Sequence, residues 1–104
     1  MNHRDRRSIM RKNNLCQKFL HEILSYDKES GIFRWKIKPS RRVYIGQIAG
    51  CENVAGYWII AIHRCIYRAH NLAWFYVYGE WCQLDHKNCI KTDNRIMNLR
   101  KATP

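Results

Sequence analysis

From Leu15 onward, apolar residues recur at steps of three and four: Leu15, Phe19 and Ile23, with Leu20 and Leu24 beside them. That spacing collects them on one face, so residues 14–26 are predicted to form an amphipathic helix packed on a core. Asn13-Asn14 offers its N-cap, and Gln17, three residues after Asn14, stands in a capping-box arrangement. The helix should end near Tyr26, because Asp27-Lys28-Glu29-Ser30-Gly31 is a turn signal. The period then changes to two. Across 31–37, Phe33, Trp35 and Ile37 fall on one side and Arg34 and Lys36 on the other, a half-buried strand with a basic outer face. Pro39 ends it, Arg41 and Arg42 follow in a loop, and residues 43–49 are expected to form a short strand. Residues 56–62, Gly-Tyr-Trp-Ile-Ile-Ala-Ile, make the strongest strand pattern, aromatic and β-branched. A turn at His63-Arg64 returns the chain into Cys65-Ile66-Tyr67-Arg68 as an antiparallel partner. At Ala69 the helical period resumes through Leu72, Ala73, Tyr76 and Val77, and Gly79 suits the residue past the helix end. Trp74 and Phe75 add bulk for a small core. His70, in the first turn, reads as a packed structural histidine, because no carboxylate adjoins it in sequence. Residues 81–86 and 99–103 are predicted as two short strands, with the polar segment between them as a hairpin loop. The expected fold is one α+β domain over 13–104, a small antiparallel sheet with two helices, behind a basic flexible arm at 1–12.

Charge changes what this domain is expected to meet. Nineteen Lys and Arg against eight Asp and Glu leave +11 on 104 residues, which favours polyanionic partners, nucleic acid first. Arg4, Arg6, Arg7, Arg11 and Lys12 in the arm can neutralise phosphates without reading sequence. The basic strand face (Arg34, Lys36) and Arg41 and Arg42 extend the same surface. Apolar runs are too short to span a bilayer, and Met1-Asn2-His3-Arg4-Asp5-Arg6-Arg7 is not followed by the apolar core of a secretory signal. No membrane partner is therefore expected. Five cysteines without a CxxC pair argue against a disulfide framework and suit a reducing cytoplasm. Cys82, His86 and Cys89 could face one ion, but no fourth zinc ligand is evident, and buried free thiols are the commoner explanation.

The densest candidate chemistry lies in 84–100, where Asp85-His86 is followed by Asp93-Asn94 and Asn98 without a Gly or Pro. A carboxylate beside an imidazole in a basic protein suggests metal-assisted phosphodiester cleavage. A polar surface hairpin is the plain alternative. At Tyr67-Arg68-Ala69-His70-Asn71-Leu72-Ala73-Trp74, then Leu84-Asp85-His86, then Asp93-Asn94-Arg95-Ile96-Met97-Asn98-Leu99-Arg100-Lys101-Ala102-Thr103, the chain resembles the HNH endonucleases. The likeness is to their small phage and intron-encoded branch, which includes homing endonucleases, and it extends upstream through 31–35 and 56–57. The portion before Trp74 more loosely resembles an AP2-type DNA-binding fold. The resemblance implies a ββα-metal hairpin following the sheet and helices. It implies His86 as the general base acting on water, Asp85 as ligand of one divalent cation (Mg²⁺ or Mn²⁺), Asn98 as the brace that aims the histidine, and Asn94 as a second loop-ordering residue. Arg95 and Arg100 would add to the DNA-binding set, with Trp74 and His70 structural. An imidazole titrating near 6.5 can serve as a base at neutral pH. Neighbours on a regular strand face opposite ways, so Asp85 and His86 can share a site only at a strand end or distortion. The family's motif continues into a helix that carries its third named residue. The sequence reaches Pro104 there, so the ββα hairpin is partial and that position receives no residue.

The function implied is metal-dependent DNA cleavage, nicking one strand, in the cytoplasm of a host cell if the protein is phage-encoded. Two alternatives are a basic DNA-binding protein without catalysis and a phage accessory protein that binds and inhibits a host protein. The pattern specifies no oligomeric state.

Overall fold

A computed structural model describes residues 15–102; the arm at 1–12, the Asn13-Asn14 cap and Thr103 lie outside them. In order, the elements are α1 (Gln17–Ile23), β1 (Leu24–Tyr26), β2 (Phe33–Trp35), β3 (Cys51–Glu52), β4 (Trp58–Ile62), β5 (Cys65–Arg68), α2 (Ala69–Tyr78), β6 (Leu84–His86), a 3₁₀ turn (Ile96–Asn98) and β7 (Leu99–Lys101). The fold is α+β, as expected, with β6-β7 as the separate hairpin that follows the sheet and helices, while the earlier strands form two small antiparallel sheets rather than one: β1-β2 and β3-β4-β5.

The first helix is shorter than its pattern. Cys16 caps it, its Sγ accepting from the Phe19 amide at 3.3 Å, and Leu24 is already extended at φ −132°, ψ 144°. Leu20, Ile23 and Leu24 are all buried. The apolar spacing is satisfied with Leu24 in a strand, where it pairs with Trp35 while Tyr26 pairs with Phe33. Gln17 is not a capping partner; its Nε2 donates to the Tyr76 carbonyl at 3.0 Å and ties α1 to α2. His21 reinforces that tie by stacking on Tyr76 at 3.8 Å.

β2 ends at Trp35, so Ile37 is exposed rather than a third buried position. The strand expected over 43–49 is instead a series of turns touching β2 through one bridge, Arg34 to Ile48. Turn bonds from Val43 to Ser40 and from Gln47 to Tyr44, and Gly46 at φ 91°, break the extended run. The β4-β5 hairpin follows the pattern: Ile62 faces Cys65 across His63 and Arg64, whose φ values of 48° and 67° are those of a two-residue turn with left-handed centres. α2 also follows it, closed by Gly79 at φ 74°, whose amide donates to the Phe75 carbonyl at 2.8 Å.

Leu20, Leu24, Phe33, Ile60 and Leu72 form the fully buried centre. The last hairpin joins this core at two points. Leu99, 3% exposed, packs inward from β7, a burial worth about 2 kcal/mol. Trp81, just before β6, stacks on Phe75 at 4.1 Å and faces Tyr67 at 6.0 Å. In register, Leu84 faces Lys101, Asp85 faces Arg100 and His86 faces Leu99. No helix among the described residues is long and apolar enough to cross a membrane.

Candidate active site

The segment between β6 and β7 has no regular structure beyond its terminal 3₁₀ turn, so side chains must supply its hydrogen bonds. Asn98, buried at 5% exposure, supplies three of them. Its Nδ2 donates to Asn88 Oδ1 at 2.9 Å and to the Asp93 carbonyl at 2.8 Å, and its Oδ1 accepts from the Asn88 amide at 3.2 Å. The two ends of the loop are thereby tied through one amide group. Asp93 is fully occupied as well. Arg95 grips both its oxygens at 2.8 Å, and Asn88 Nδ2 adds a bond at 2.7 Å. The Arg95 bonds, foremost, hold the Asp93 carboxyl down at about 2, below the usual carboxylate range.

His86 ends β6, and the chain turns at once: the Cys89 amide donates to the His86 carbonyl at 3.0 Å, and the Lys87 amide to the Asn98 carbonyl at 2.7 Å. Its Nε2 lies 2.9 Å from Asn94 Oδ1. An amide oxygen only accepts, so Nε2 carries the hydrogen and Nδ1 keeps the basic lone pair. Asn94 can fix that tautomer because it is itself fixed. It is 2% exposed, and its carbonyl accepts from the Tyr26 hydroxyl on β1. Gly31 backs the same peptide. A Cβ there would lie 2.4 Å from Arg95 N and Asn94 C, and its φ is 76°. Beside the His86 ring stands His70, edge to face at 4.8 Å. Burial foremost, then the charges of His86 and Arg68, push His70 down to about 4, so it is a neutral wall at physiological pH. Its other ring neighbour is Tyr57 at 5.7 Å.

Asp85 and His86 both line one cleft of about 800 Å³, which also takes in His70, Asn71, Trp81, Cys82, Cys89 and Arg100. The strand end is what allows two neighbours to face one space. Unlike Asp93, the Asp85 carboxylate makes no hydrogen bond or ion pair among the described residues. Among those residues no group of three or more His, Cys, Asp or Glu stands close enough to hold a metal. The cysteines form no disulfide, and the thiols are not buried: Cys82 is half-buried and Cys89 exposed, both at the cleft. The donor set is thus one open hard oxygen beside one imidazole. It fits a hard divalent cation that takes most of its shell from phosphate and water, and fits zinc poorly.

Residues 67–104 match the family model described as HNH endonuclease. The chain is similar to HNH endonucleases over this stretch, hereafter the HNH segment. It begins in β5, includes α2, and runs through both strands of the last hairpin. No curated protein and no solved structure matches the chain. HNH nucleases generally use a divalent metal, in keeping with the open carboxylate of Asp85.

The cations named from sequence are scattered with respect to the HNH segment. Arg100 lines the cleft. Arg95 lies within the segment but is committed to Asp93. Arg34 donates to the Gly46 carbonyl at 2.9 Å and Lys36 to the His21 carbonyl at 2.8 Å, on the β1-β2 side of the molecule, and Arg41 and Arg42 are exposed in the following loop. None of these four lines the cleft. Trp74 is half-buried, its Nε1 donating to Glu80 Oε1 at 3.0 Å and its ring against Tyr78 at 4.5 Å. The cleft cations beyond Arg100 are Arg68 and Lys91, which residue patterns did not single out. One signal was present: on β5, Tyr67 points inward, so Arg68 must point outward, two residues before His70.

Proposed function

We propose that this protein is a metal-dependent DNA endonuclease of the HNH type that nicks one strand. The observation that carries the reading is the meeting of Asp85 and His86 at one cleft inside the HNH segment. In this reading His86 Nδ1 accepts a proton from the attacking water. The water oxygen bonds to phosphorus as the bond to the 3′ oxygen breaks, and solvent protonates the leaving group. Asn94 holds the reacting nitrogen free by occupying Nε2, and Asn98 keeps the loop that positions both. Asp85 would hold the cation. When bound, Mg²⁺ or Mn²⁺ supplies positive charge against the phosphate and the departing 3′ oxygen. The surplus of eleven positive charges favours DNA as the polyanion.

The test is supercoiled plasmid incubated with wild type or His86→Ala, in Mg²⁺ or Mn²⁺ and in chelator. The expected outcome is nicked circles from wild type with metal alone, and at least a hundredfold slower nicking by the variant, in line with removal of a general base. Equal conversion by both proteins would leave the assignment without support.

A further inference from the structure

Tyr57 carries two cations. The Arg68 guanidinium carbon lies 4.2 Å from its ring centroid and Lys91 Nζ lies 4.8 Å from it. Two like charges gathered on one ring need a reason, because they repel each other and each contact to a partly exposed ring is worth only about 0.5–1 kcal/mol. Neither cation is neutralised. The ion pairs among the described residues are Asp93 with Arg95 and Glu80 with Lys101, and neither involves these two. Lys91 is further held by donating to the Ala55 carbonyl at 3.1 Å. The Tyr57 amide is anchored on Asn53 Oδ1 at 2.9 Å, so the platform itself is fixed.

All three residues line the cleft that holds Asp85 and His86, and Arg100 borders it as a third cation without an ion pair among the described residues. Three positive side chains therefore face one open carboxylate in a space of about 800 Å³. The Arg34, Lys36, Arg41 and Arg42 surface lies outside this cleft.

We propose that Arg68 and Lys91, pre-set on the Tyr57 ring, are a phosphate clamp that seats the DNA backbone beside His86. The clamp rests on the endonuclease reading for the reason it adjoins His86, but binding and cutting are separable. Guanidinium and ammonium groups already held in place lose little side-chain freedom when a phosphodiester arrives. His70, neutral against both His86 and Tyr57, joins the clamp to the base without adding charge. Arg68 and Lys91 are positioning residues in this scheme, and Tyr57 acts through them.

The experiment measures binding of a short fluorescein-labelled DNA duplex in chelator, where no metal-dependent cutting occurs, over a series of salt concentrations. Arg68→Gln and Lys91→Gln are expected each to lower the slope of log affinity against log salt by about 0.9, the share of one phosphate contact. Both side chains lie at the surface, so the variants should keep the wild-type melting profile. Tyr57→Leu keeps every charge but removes the platform; it should weaken binding several-fold at low salt with little change of slope, and Tyr57→Phe should restore it. The proposal is overturned if Arg68→Gln and Lys91→Gln bind with the wild-type slope while Arg34→Gln and Arg41→Gln lose it, or if wild type shows no salt-dependent binding. A clamp confirmed here with no plasmid nicking would retire the endonuclease reading and leave the clamp standing. Nicking with an unaltered slope in these variants would do the reverse.

Discussion

His70 offers a direct test of the geometry around His86. It is buried at 6% exposure, edge-on to His86, and titrates at about 4 instead of 6.5. Above pH 6.5 the folded and unfolded chains both hold it neutral, and it contributes nothing to pH dependence. As pH falls from 6.5 toward 4, the unfolded chain takes up a proton that the folded one refuses, so stability drops with pH across that window. Below about 4 the folded form is protonated too, and the loss levels off. At about 1.4 kcal/mol per pH unit, the interval between 6.5 and about 4 amounts to about 3 kcal/mol. His70→Phe keeps a ring against His86 and Tyr57 and removes the titration. Urea unfolding of both proteins from pH 7.5 to pH 4, taken as a difference, cancels every other group that titrates alike in the two. The expected result is a difference curve flat above pH 6.5 that shifts by about 3 kcal/mol in favour of the variant as pH 4 is approached. A curve flat throughout would mean that His70 is hydrated or paired, and the neutral wall beside His86 would be wrong.

Two further outcomes follow from the loop. Gly31→Ala places a Cβ 2.4 Å from backbone atoms of Asn94 and Arg95 at a φ of 76°. Left-handed strain and overpacking together should cost about 2–5 kcal/mol, read as a fall in the urea midpoint; a shift below 1 kcal/mol would show that the contact yields freely. Asn98→Ala removes three hydrogen bonds, worth about 1 kcal/mol each, and should speed hydrogen exchange at the Asn88 amide ahead of the core amides. Unchanged exchange there would deny Asn98 its part in holding the loop.

The sequence pattern was most informative where one local rule decided the structure. The two-residue turn at His63-Arg64, the α2 stripe ending at Gly79, and the pairing of the last two strands, shorter at 84–86 and 99–101 than the expected 81–86 and 99–103, all rest on short-range chemistry. It misled where distant partners decided. Leu24 fits a helical stripe and a strand equally well, and only its pairing with Trp35 selects the strand. Ile37 continues an alternation whose strand had already ended. At the candidate site the resemblance named Asp85, His86, Asn94 and Asn98, but the partner of His86 Nε2 is a matter of folding. The same holds for the cleft cations: Arg68 and Lys91 are twenty-three positions apart and meet through a tyrosine just ahead of β4.

The contact of Gly31 and Tyr26 with the Asn94 peptide bears on how portable the HNH segment is. Tyr26 and Gly31 belong to the first hairpin, far upstream of the residues that match the family. Moved into another scaffold, residues 67–102 would keep Asp85, His86 and the Asn98 ties, yet lose the two contacts that seat Asn94. The imidazole would then be free to turn and exchange tautomers. The hairpin that holds Asp85 and His86 is thus borrowed equipment, kept at its set angle only while bolted to the front of this particular chain, and transplanting its geometry would require carrying residues 24–33 with it.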